Sequence, residues 1–149
     1  MRVTARLVPL LMALVGVCCG GGGSSTAPSP TTLAGTWKAS RAEFVSASNS
    51  GVKVEAVSQG YSILLTLESA GTYRQVVTAP GESGETTTGS WSASSDVLTL
   101  KPAGVSFNIQ FDLALNGNTL SLSGGHVQFD INGDNVDEET ILNLAMTRQ

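Results

Sequence analysis

Eleven consecutive residues, Val105 to Leu115, alternate without interruption: Val105, Phe107, Ile109, Phe111, Leu113 and Leu115 are separated by Ser106, Asn108, Gln110, Asp112 and Ala114. A repeat of two points successive side chains to opposite faces, so the segment reads as a long strand with one face buried. A helix would scatter the same residues around its axis. Asn116-Gly117 follows directly. Both residues tolerate the positive φ that a type I′ hairpin turn demands, and Thr119 to Ser123 then returns with Leu120 and Leu122 inward.

Alternation recurs from Leu33 onward, and no window sustains a 3.6-residue period. Further strands are expected at Thr36 to Val45, Val52 to Val57, Tyr61 to Ser69, Thr72 to Thr78, Glu85 to Ala93, Val97 to Lys101, His126 to Ile131 and Thr140 to Arg148. Turn-forming runs separate them, among them Ala79-Pro80-Gly81, Pro102-Ala103-Gly104, Gly124-Gly125 and Asn132-Gly133-Asp134. Short strands joined by short turns make an antiparallel up-and-down meander. The expected fold is therefore all-β, the meander closing into a small barrel of about eight to ten strands, because closure removes edges that a two-sheet sandwich would leave open.

Charge excludes one broad class of function. Eight Lys and Arg stand against twelve Asp and Glu with no polybasic run, so a phosphate-binding face for nucleic acid is not expected. One His, and no Cys after Cys19, leave too few residues for most zinc sites, Cys nucleophiles or Ser/His/Asp triads. His126 opens an expected strand, but the chain holds no nucleophile motif such as G-x-S-x-G. Nothing in the pattern makes Asp112 and Glu68 converge as the carboxylate pair of a glycosidase. No enzymatic activity is expected.

Met1 to Gly23 has the parts of an export signal: Arg2 and Arg6 lead, Leu7 to Val15 is mostly apolar, and small residues follow. The apolar run falls short of the roughly 20 residues that a membrane-spanning helix takes. Cys18 and Cys19 stand at its end, and neither has a distant Cys to pair with. A Cys just after such a run resembles the lipobox of bacterial lipoproteins, in which the thiol is acylated and the chain is cut before it. Val15-Gly16-Val17-Cys18 carries Val where that family has a small residue, while Gly16-Val17-Cys18-Cys19 carries Gly three positions before the acceptor, so both Cys18 and Cys19 are candidate lipidation sites. An ordinary cleaved secretory signal is the alternative.

Residues 1–19 are accordingly assigned to the signal and acylation site, 20–32 to a Gly/Ser then Pro/Thr tether, and 33–149 to the barrel. The expected location is the bacterial cell envelope, on the periplasmic or surface side, with the membrane reached through the lipid anchor. If Arg2 and Arg6 leave with the signal, eight bases become six against twelve acids, a balance that gives no attraction to anionic lipid heads.

Leu33-Ala34-Gly35-Thr36-Trp37 resembles the Gly-x-Trp that begins the first strand of lipocalins and bacterial lipocalin-like domains. Gly71-Thr72-Tyr73, Gly89-Ser90-Trp91 and Asp96-Val97-Leu98-Thr99-Leu100 follow in the order of the strand signatures of lipocalin-like lipoproteins. The resemblance spans nearly all of residues 33–148. It implies a lipocalin-like barrel whose Trp37 plugs the closed end, with a basic residue near the end of the last strand packed over the ring. Arg148, the only base after Lys101, is the candidate; the alternative is a solvated terminal Arg. No Thr-Asp-Tyr motif, disulfide pair or C-terminal helix like those of many full-length lipocalins is present.

The resemblance also implies a small apolar ligand, and Tyr61, Ile63, Leu65, Phe107, Ile109 and Phe111 are its candidate lining. The alternative is a barrel interior filled by the same side chains, acting as a structural or interaction module. Five acids crowd Asp130 to Glu139 with no base among them. Asp130, Asn132, Asp134 and Glu138, with the Val136 carbonyl, fall at the spacing of a short calcium loop, where oxygen ligands wrap a hard cation. A solvated acidic turn built from turn-favouring residues is the other reading of this run. Nothing in the sequence sets an oligomeric state.

Overall fold

Turn chemistry divides the chain where the alternation stops. The computed structural model describes residues 28–149. After a single helical turn, α1 (Pro30–Leu33), come β1 (Gly35–Ser46), β2 (Lys53–Glu55), a 3-10 turn at Val57–Gln59, β3 (Ser62–Leu67), β4 (Thr72–Thr78), β5 (Glu85–Ser94), β6 (Val97–Pro102), β7 (Ile109–Asn116), β8 (Thr119–Phe129) and β9 (Glu138–Arg148). The signal and acylation site, with Cys18 and Cys19, lies outside the described residues.

From β3 to β9 each strand pairs antiparallel with the next, and β9 returns to β1 from Trp37↔Arg148 to Ser46↔Thr140. β1 uses its other edge twice: Gly35 to Lys38 pair with β3, and Glu43 to Val45 pair with the short β2. The result is a closed eight-stranded antiparallel barrel with β2 lying on its seam. Between the two partners of β1, the Ala42 N–H donates to the Glu55 carboxylate at 2.8 Å and the Ala56 N–H donates to the Ala42 carbonyl at 2.8 Å. The seam is thus closed by hydrogen bonds that no regular ladder supplies.

Two bulges set which side chains face inward. On β1 the register slips by one residue between Ala39 and Arg41, so Trp37 and Ala39 point inward before it and Ala42 and Phe44 after it. On β8 Ser123 and Gly124 together face Asn143, and the buried positions change from Leu120 and Leu122 to Gly125. A bulge inserts one unpaired residue and bends its strand, which is how a sheet curves toward closure. Gly125 is required by close approach, since a Cβ there would overlap the Phe111 ring.

These features revise several sequence expectations. Thr119 to Ser123 and His126 to Ile131 are one strand, because Gly124-Gly125 forms a bulge rather than a turn. The strand expected from Val105 begins only at Ile109. Val105 to Asn108 continue the alternation in sequence, but β6 ends at Pro102 and its last β7 partner is Ile109, while β8 pairing starts at Asp112. With no ladder on either side, the segment is a loop and Phe107 is 58% exposed rather than interior. Val52 to Val57 shortens to Lys53–Glu55, since Val57 enters the 3-10 turn. The last residues assigned to the tether are structured: the Ser29 side chain caps α1 and Pro30 occupies its first turn, ahead of the fully buried Leu33 that opens the barrel segment.

The core fills the half of the barrel nearest α1. Trp37, Leu67, Leu98, Leu120, Leu122 and Met146 are all but inaccessible, and Tyr73 and Trp91 are buried beside them. Among the described residues, no fully buried side-chain nitrogen or oxygen lacks a hydrogen-bond partner.

Candidate functional site

The two ends of the barrel differ in kind. At the first, α1 lies across the opening and the Trp37 indole N–H donates to the Leu33 carbonyl at 2.9 Å. Arg148 enters from the end of β9, its guanidinium carbon 4.1 Å from the Trp37 ring centroid. Its Nη1 donates to the Ala34 carbonyl and its Nη2 to the Thr32 carbonyl, both at 2.6 Å. One planar cation therefore covers the ring and pins the chain that enters the barrel. Gly35 permits this: its φ is +138°, and a Cβ there would collide with Nη1. The Trp91 N–H of the indole donates to the Glu68 carbonyl at 2.9 Å and ties down the β3–β4 turn at the same end.

At the second end the strands spread into a mouth. A cleft of about 950 Å³ opens there, with Phe44, Tyr61, Ile63, Val77, Val127, Phe129 and Leu142 as its apolar floor. Phe44 and Phe129 stack with ring centroids 3.9 Å apart and planes 13° apart, and Tyr61 meets Phe129 edge-on at 6.1 Å. The edge-on contact of Tyr61 is a favoured aromatic geometry. The β4–β5 hairpin and the β8–β9 loop stand over this floor and supply its polar wall, including Glu82, Glu85, Asp130 and Asp137.

The sequence-derived lining divides accordingly. Tyr61 and Ile63 line the cleft. Leu65 and Phe111 are buried beneath it, Ile109 is half-buried against the core, and Phe107 stands outside the barrel. Phe44, Val77, Val127, Phe129 and Leu142 were missed. Alternation marks Val77 and Leu142 as inward but does not tell how far along the barrel axis they lie, and Phe44, Val127 and Phe129 follow bulges that shift the alternation.

The acidic loop between β8 and β9 is closed by its own hydrogen bonds. Asp130 accepts from the N–H groups of Gly133 at 2.7 Å, Asp134 at 3.2 Å and Asn135 at 2.8 Å. Asn132 accepts from Asp134, and Asp134 from Val136, each at 2.8 Å. Glu138 accepts from the Ile131 N–H at 3.0 Å and from the Asn132 side-chain amide at 2.7 Å. Asn135 turns the loop with φ of 64°, a conformation that Asn tolerates. Loss of solvent pushes the Asp130 carboxyl up, but the amide donors, Asn135 first, outweigh it and hold the group below its ordinary value of 3.8. Among the described residues, no group of three or more His, Cys, Asp or Glu side chains is arranged to hold a metal ion.

His126 lies on the outer face of β8, where its Nδ1 is 2.9 Å from Glu139 and both side chains are exposed. Among the described residues, no helix is long and apolar enough to cross a membrane.

Fold and site together define a small closed antiparallel β-barrel, plugged by Trp37 and Arg148 at one end and open over an apolar cleft at the other. Compared with known proteins, the chain matches no family profile and no curated protein.

Proposed function

We propose that the mouth binds a small apolar molecule in the manner of lipocalin-like barrels, on a chain held at the bacterial envelope by acylation of Cys18 or Cys19. The observation that carries the binding reading is the cleft itself: about 950 Å³ with an apolar floor that includes three aromatic rings, left open while the other half of the barrel is packed solid. Its size falls in the range of about 300 to 1,000 Å³ usual for small-molecule sites. Anchoring is supported by the signal-like segment and the two adjacent Cys residues. The filled half favours a second reading, a structural module with no cargo.

Native mass spectrometry of the full chain, after incubation with an envelope lipid extract, separates the two. An adduct of several hundred daltons is expected, weakened by Phe129→Ala. The bare polypeptide mass in every extract would favour the module without cargo.

A further inference from the structure

The rim of the mouth specifies the head group of the ligand, an inference that rests on the binding reading above. Glu82 and Glu85 line the cleft from the β4–β5 side and Asp130 and Asp137 from the β8–β9 loop. Among the described residues, no Lys, Arg or His lines it. The two hairpins are separated along the ring by β6 and β7 on one side and by β3 and β1 on the other. Negative charge therefore meets the opening from both sides, over apolar walls that focus the field.

The charges are also available. Among the described residues, the Glu82, Glu85 and Asp137 carboxylates have no ion-pair or hydrogen-bond partner, and all three are exposed. Asp130 spends its oxygens on backbone amides but keeps its charge, because those amides stabilise the ionised form. Below the rim lie the rings of Phe44, Tyr61 and Phe129, packed on one another as an apolar floor for the tail. A carboxylate head would bring like charge against four acids with no base to receive it.

We infer that the mouth selects a cationic amphiphile, its ammonium head at the rim of Glu82, Glu85, Asp130 and Asp137 and its tail on the aromatic floor. Selection is electrostatic and therefore weakens as salt rises.

The test titrates the full chain calorimetrically with three ten-carbon probes below their micellar concentrations: decyltrimethylammonium, decanol and decanoate. The cation is expected to bind about tenfold tighter than decanol at low salt, with decanoate weakest, as a few partly screened charges allow. The combined variant Glu82→Gln, Glu85→Gln, Asp137→Asn should abolish the preference for the cation over decanol, both measured on that same variant. Equal affinity for all three probes, or tightest binding of decanoate, would overturn the charge selection while leaving an apolar site in place. Binding of none of them would overturn the ligand reading itself.

Discussion

Arg148→Met removes the clamp at the closed end while keeping an unbranched side chain long enough to cover part of the indole. Three interactions are lost with the guanidinium: its stacking 4.1 Å over Trp37, and donation at 2.6 Å to each of the Ala34 and Thr32 carbonyls. A partly desolvated cation–π contact is worth about 1 kcal/mol. A charge-assisted hydrogen bond contributes about 1.5 kcal/mol where half-buried, as at Ala34, and nearer 0.5 kcal/mol where exposed, as at Thr32. The expected loss is therefore about 3 kcal/mol. With a urea slope of about 1.5 kcal/mol per molar for a domain of this size, the unfolding midpoint falls by about 2 M. Tryptophan fluorescence reads the transition directly, since Trp37 and Trp91 both lie in the packed half. Arg148→Lys keeps the charge but not the planar fork, so it should recover only a minor part of the loss. Gly35→Ala attacks the same clamp from the other side, forcing a Cβ into the space of Nη1 at a φ of +138°. An Arg148→Met protein within about 0.5 kcal/mol of wild type, the range of an ordinary surface change, would refute the clamp.

Trp37→Ala empties a site with no solvent access and should cost about 3 to 5 kcal/mol in the same assay; a loss below about 1 kcal/mol would mean that Trp37 is not the plug. Glu55 is held below its ordinary value of 4.5 chiefly by the Ala42 N–H, with burial opposing and the Ser58 N–H assisting. A depressed folded value means that its stabilisation is complete above the unfolded value and is lost as pH falls through the folded one, so Glu55→Gln should be less stable than wild type at pH 7 and approach it in acid. A gap that stays constant from neutral pH into strong acid would remove Glu55 from the seam. The acidic loop closes on its own amides, so a chelator should leave Tm unchanged in wild type and in Asp134→Ala; a fall confined to wild type would establish calcium at residues 130–138.

What the sequence disclosed depended on how far local pattern determines position. Strand character was legible because the inward residues of β3, β4, β6 and β9 alternate without a break, as Ile63, Leu65 and Leu67 do. At the bulges of β1 and β8 that rule fails, since one extra residue moves every later side chain to the opposite face. Reading Gly124-Gly125 as a turn was the natural outcome, because positive φ at Gly124 serves a bulge as well as a hairpin. Phe107 shows the complementary failure: alternation persists there, but a strand needs a partner, and neither β6 nor β8 pairs with that segment. The closed end was easier to anticipate, since one Trp and one Arg at the two ends of the barrel sequence meet at a single register pair. The mouth was harder, because its floor draws one or two residues from each of β1, β3, β4, β8 and β9, with Tyr61 from just before β3.

The same geometry bears on how an anchored barrel would present its mouth. α1 lies against Trp37 and is held by Arg148, so the described chain enters at the closed end, opposite the cleft. Under the proposed anchoring, the ten residues from Gly20 to Ser29 join the lipid to that end. Ten residues fully extended reach at most about 35 Å. A barrel of this chain length is itself about 35 Å across, from a radius of gyration near 14 Å. Turning the mouth toward the membrane would require that segment to span the whole length of the barrel, at the limit of its reach. Under the proposed anchoring the acidic mouth would therefore face away from the bilayer, toward molecules in the aqueous phase. That orientation agrees with the charge of the rim, because seven acids lie in or beside the β4–β5 and β8–β9 turns, which an anionic lipid surface would repel.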